Sequence, residues 1–151
     1  MATTEPTSMS TGSDLPEHLV LYDGVCGLCG WAVRWLLAHD PHDRLMFAPI
    51  QGDTATGLGV EWDEDAPPSE ASVIFVDSSG PQRRIEHRSR AVAEALAVTG
   101  AWPVARSLIR FTPRPLADAV YRFVARIRYR VFGKHDECRI PSPAERARFL
   151  P

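Results

Sequence analysis

The chain has 151 residues, 44% of them hydrophobic and 24% charged, which suits one domain with a buried core that needs no covalent staples. Three cysteines are too few, and odd in number, for a disulfide scaffold. The net charge of −2 is uneven: residues 1–101 carry −9 and residues 102–151 carry +7.

Residues 1–16 are rich in Thr, Ser and Pro and lack the basic start and apolar run of a secretory signal. They read as a disordered tail. No window is apolar for long enough to span a bilayer. A soluble, cytoplasmic protein with reduced thiols is therefore expected.

His18-Leu19-Val20-Leu21-Tyr22 is short, apolar and rich in strand formers, and Asp23-Gly24 ends it. Over residues 27–39, Leu28, Trp31, Ala32, Trp35 and Leu36 recur at helical spacing, with Asp40-Pro41 as a stop. The two tryptophans read as core. Residues 44–50 form a second strand, and a short helix fits around 54–58. Residues 72–77 are the clearest strand, and 83–88 should return antiparallel as a hairpin. Ser89 reads as the N-cap of a helix that Gly100 ends.

Strand, helix, strand, short helix, strand, strand, helix is the order of a thioredoxin-like α/β core (β-α-β-α-β-β-α), assigned here to residues 17–101. Residues 102–151 read as a basic helical extension packed on the same domain. In it Leu116, Val120, Val124, Ile127 and Val131 form an apolar stripe, expected to be buried, and Arg122, Arg126 and Arg130 a polar one. Gly133 ends the long helix, and a short helix is expected over 143–150.

Cys26-Gly27-Leu28-Cys29 stands at the first strand-to-helix junction. Two intervening residues let both sulfurs meet across the first helical turn. A thiol at a helix N-terminus faces unpaired N–H groups and the positive end of the dipole, which favour the thiolate that attacks disulfides. Cys29, one turn deeper, should be the less exposed, resolving thiol. Two rival readings stand beside this one. The pair could be inert core thiols, or half of a zinc site completed by His135 and Cys138.

Tyr22-Asp23-Gly24-Val25-Cys26-Gly27-Leu28-Cys29 closely resembles the motif of the DCC family of thiol–disulfide oxidoreductases. The resemblance continues through Phe47-Ala48-Pro49-Ile50-Gln51, Ser72-Val73-Ile74-Phe75-Val76-Asp77, Tyr129-Arg130-Val131-Phe132-Gly133-Lys134 and Cys138-Arg139-Ile140-Pro141. It implies a thioredoxin-like fold and redox activity, without a substrate. Asp23 stands at the family's Asp. It would raise the nucleophile's pKa by like charge, accept the proton of Cys29, or only shape the turn with Gly24. Thioredoxins also set a cis-proline before the third strand, and the register of Pro67 and Pro68 does not match that place clearly.

The expected reaction is dithiol–disulfide exchange with a protein or low-molecular-weight thiol, with Cys26, Cys29 and Asp23 at the centre and no cofactor. The competing classes are the zinc-stabilised module and a non-catalytic protein whose basic extension meets a partner or membrane surface. No nucleic-acid reading module is present. Nothing in 133–141 obliges that segment to approach the cysteines.

Overall fold

A computed structural model describes residues 15–61, 65, 72–135 and 141–151. The expected tail therefore lies almost wholly outside the described residues, as do Pro67, Pro68 and Cys138. Strand β1 (His18–Tyr22) leads into helix α1 (Gly27–Ala38), then β2 (Leu45–Pro49) and the short α2 (Asp53–Gly57). The hairpin β3 (Ile74–Asp77) and β4 (Arg84–His87) follows, then α3 (Arg88–Thr99), α4 (Pro103–Phe111) and α5 (Arg114–Phe132).

Among the described residues the sheet has four strands in the order β2-β1-β3-β4. β1 pairs parallel with β2, and β3 runs antiparallel to both β1 and β4. The parallel pair needs a crossover, which α1 supplies, while the antiparallel pair closes through a tight turn. Side chains alternate across the sheet, so β1 sends Val20 and Tyr22 to one face and Leu19 and Leu21 to the other. On the first face they join Val33, Phe47, Phe75 and Ala95 beneath α1 and α3. On the second they join Ala48, Ile50, Ala55 and Val76 beside α2. Both faces are buried, which is why β1 reads as a continuous apolar run rather than an alternating one.

Up to Gly100, which ends α3 at φ 69°, the described residues follow their sequence pattern closely. Ser89 is an exception. It lies inside α3, buried, and its hydroxyl donates to Asp118 at 2.6 Å instead of capping the helix.

The extension departs further from expectation. It divides into two helices at Thr112-Pro113, because the second proline-led start supplies no N–H to continue the first. The stripe Leu116, Val120, Val124 and Val131 is exposed, not buried. The inward face of α5 is set by Tyr121, Ala125 and Arg128, one residue on and so about 100° around the helix, where small and hydrogen-bonding side chains let the helix lie on α1 and α3. Trp31 is likewise exposed rather than core.

Instead of a helix over 143–150, a single 3-10 turn (Arg146–Arg148) precedes an extended end. Arg148 is buried there, reaching Asp40 at 2.5 Å and the Leu45 carbonyl at 2.7 Å. Leu150 N–H donates to the Phe47 carbonyl at 2.8 Å, and Phe149 stacks near Phe47 with ring centres 5.6 Å apart.

Candidate active site

The carboxyl end of β1 delivers Asp23 through Cys26 to the start of α1. Cys26 is itself the N-cap, in extended conformation, and its Sγ accepts the backbone N–H of Cys29 at 3.5 Å. Cys26 and Cys29 are both free thiols. A hydrogen bond from the Cys29 thiol is the main influence holding Cys26 down to a pKa of about 6, helped by the Cys29 N–H and the charge of Arg128. Burial and the Asp23 carboxylate act against it. Cys29 is pushed well above the usual thiol range, first by giving its proton to that hydrogen bond and then by burial. Ultraviolet thiolate absorbance should therefore show a first rise with a midpoint near pH 6. The Cys26→Ser variant should lose that low-pH transition, and its survival there would reverse the assignment.

The exposures run opposite to expectation. Cys26 is 1% exposed, whereas Cys29 is partly open. The cause is the segment after α5, which crosses the start of α1. The Gly133 carbonyl accepts Gly27 N–H at 3.2 Å, and His135 N–H donates to the Val25 carbonyl at 2.7 Å. Lys134 pairs with Cys26 as an isolated bridge between them. This roof also accounts for Gly27, since a Cβ there would collide with the Phe132 carbonyl oxygen. Residues 133–135 thus do approach the cysteines, because α5 aims them there. The side chain of His135 remains exposed. Among the described residues no cluster of His, Cys, Asp and Glu is placed to hold a metal ion.

Asp23 is 2% exposed and fully engaged. Its Oδ1 accepts from Val25 N–H at 3.2 Å and from Gln51 Nε2 at 2.8 Å. Its Oδ2 accepts from Arg128 at 2.9 Å and from the Tyr129 hydroxyl. Gln51 completes the loop by accepting Gly24 N–H at 3.1 Å. The other guanidinium nitrogen of Arg128 points to Cys29 Sγ at 3.6 Å. Burial and the hydrogen bond to Asp23 keep Tyr129 protonated far above its usual range.

Arg128, Tyr129 and Gln51 are thus the site residues that the sequence left unassigned. Arg128 could have been found by phase, since it is out of step with the solvent-facing Arg122, Arg126 and Arg130. Between α1, α3 and α5 lies a cavity of about 260 Å³ with almost wholly apolar walls. Cys29 and Arg128 line it, and Trp31, Trp102 and Val124 are its exposed members.

A sheet of this order, with a free Cys-x-x-Cys pair opening the helix after its first strand, defines a thioredoxin-like protein. The profile of the DCC1-like thiol-disulfide oxidoreductase family matches residues 20–134, and the chain belongs to that family. It is 32% identical over 148 residues to the uncharacterized protein YuxK of Bacillus subtilis (strain 168), covering 93% of this chain and 99% of that one. It is 28% identical over 123 residues to a chloroplastic DCC family protein of Arabidopsis thaliana, covering 81% of this chain and 69% of the relative. No solved structure matches it.

Proposed function

We propose that the protein is a dithiol–disulfide exchange enzyme in which Cys26 is the nucleophile and Cys29 the resolving thiol. The observation that carries this reading is the asymmetry of the pair, with Cys26 as the helix cap and its pKa drawn down to about 6. A thiolate that persists at neutral pH attacks disulfides without prior deprotonation.

In the forward direction Cys26 Sγ attacks one sulfur of a substrate disulfide, forming a mixed disulfide and releasing the first substrate thiolate. Cys29 then loses its proton and attacks Cys26 Sγ, which closes the Cys26–Cys29 disulfide and releases the second substrate thiolate. Two electrons pass from the dithiol to the substrate, and no cofactor takes part. The substrate is a protein or low-molecular-weight disulfide. It reaches Cys26 once the 133–135 segment, held to the helix start by two backbone hydrogen bonds, lifts away. Among the three roles open to Asp23, the geometry favours positioning. With four donors on its carboxylate, it holds Arg128 so that the second guanidinium nitrogen supports negative charge on Cys29 as it deprotonates.

Trapping tests the sequence of steps. Cys29→Ser should accumulate mixed disulfides through Cys26 when offered an oxidised substrate, and Cys26→Ser should trap almost none. Equal trapping by both variants, or none by either, would overturn the exchange mechanism.

A further inference from the structure

Helix α4 carries Val104, Leu108 and Phe111 on one face at helical spacing, and none of them is used in folding: they are 80%, 70% and 85% exposed. The outward face of α5 continues the pattern with Leu116, Val120, Phe123 and Val131, also exposed. Isolated apolar side chains on a surface need no account, but two consecutive amphipathic helices with their apolar faces outward do. Arginine surrounds those faces. Besides the buried Arg128, residues 103–133 contain six arginines and one acidic residue, Asp118, whose carboxylate is occupied by Ser89; Arg110 and Arg114 are paired with Glu94 and Glu86, which leaves the positive charge of the face mainly to the row on α5. Arg122, Arg126 and Arg130 run as a row beside the apolar face of α5, exposed along its length.

We propose that the outer faces of α4 and α5 dock on an anionic membrane surface. An apolar face flanked by arginine suits the boundary between acyl chains and acidic headgroups, where the hydrocarbon side chains enter and the guanidinium groups meet phosphate. A second copy of the chain fits less well, because a symmetric contact would set each arginine row against its own likeness. The contact is peripheral, since no helix among the described residues is long and apolar enough to cross a membrane. Trp102 and Val124 belong both to this exposed apolar set and to the cavity lining, so lipid covering them also lies at the cavity mouth. The docking surface uses none of the hydrogen bonds around the cysteines, and it stands whether or not the exchange mechanism does.

Flotation of the full chain with vesicles decides the matter. Phosphatidylcholine vesicles containing phosphatidylglycerol should capture the protein at least roughly tenfold more strongly than phosphatidylcholine alone, and high salt should release it. The double variant Leu108→Ser, Phe111→Ser and the triple variant Arg122→Ser, Arg126→Ser, Arg130→Ser should each lose most of that binding. Both should keep the parent melting temperature, because the substituted side chains are exposed. If the apolar variant fails to fold, the arginine variant decides alone. Equal binding to neutral and anionic vesicles, or none to either, would overturn the proposal. So would a concentration-dependent dimer in sedimentation that the Leu108→Ser, Phe111→Ser change abolishes, which would give the face to a second copy.

Discussion

Replacing Arg128 with methionine should lower the unfolding free energy by about 3–5 kcal/mol, because it leaves the Asp23 carboxylate buried without its counter-charge. The two groups are 2.9 Å apart, with side chains only 3% and 2% exposed. Desolvation makes the pair a modest stabiliser as a whole but a costly one to break on one side. The double variant Asp23→Asn, Arg128→Met should therefore recover much of the loss, since no unpaired charge remains. Denaturant midpoints of the parent, both single variants and the double variant close the cycle. A loss below about 1 kcal/mol for Arg128→Met would mean that the carboxylate is not held as a buried charge. The same variant carries a second readout in the thiols. The positive charge of Arg128 helps to keep Cys26 at about 6, so its removal should move the thiolate midpoint upward.

Gly27→Ala should have the second large effect, and on a different property. The added methyl cannot coexist with the Phe132 carbonyl in its present place, so the backbone leading into 133–135 must move. Forcing an atom into filled space typically costs about 1–3 kcal/mol. The hydrogen bonds from Gly27 to Gly133 and from His135 to Val25 should weaken together, uncovering Cys26. A bulky alkylating reagent should then label Cys26 faster than in the parent protein, and the added Cys26→Ser change in Cys26→Ser, Gly27→Ala should abolish that gain. An unchanged labelling rate would mean that Cys26 is reached by a route other than beneath this segment.

Most of the α/β core was legible because local pattern and global burial agree there. β1, β2 and β3 are apolar runs bounded by turn residues, and α1 combines a cap, a periodic face and a stop. The Cys-x-x-Cys pair was legible for the same reason, since its placement between strand and helix is local.

Helix α5 shows where that logic fails. Amphipathic reading assumes that the most apolar face turns inward, yet Tyr121, Ala125 and Arg128 turn inward and the Leu116–Val131 stripe does not. What settles the orientation is a set of tertiary bonds: Tyr121 to Val73 N–H, and Arg128 to Asp23 and Cys29. Ser89 misleads for a similar reason, because its partner Asp118 is 29 residues away. The roof over Cys26 left no local mark at all, except that the residue after the first cysteine is glycine.

The two margins of the sheet are protected by different means. β4 is an outer strand with Arg84 and Glu86 along it and mostly exposed side chains, the charged kind of edge that resists pairing with other chains. β2, the opposite outer strand, is apolar, with Leu45, Phe47 and Ala48 buried and Met46 and Pro49 half-buried. Its shield is the 148–150 stretch, where Phe149 bridges Phe47, Leu150 takes up the Phe47 carbonyl, and Arg148 takes up that of Leu45. Removing those residues would leave the cysteines untouched but expose an apolar strand with free carbonyls, a template for intermolecular β-sheet growth. The 148–150 stretch thus closes the edge of the sheet by pairing with its backbone where β4 relies on charge.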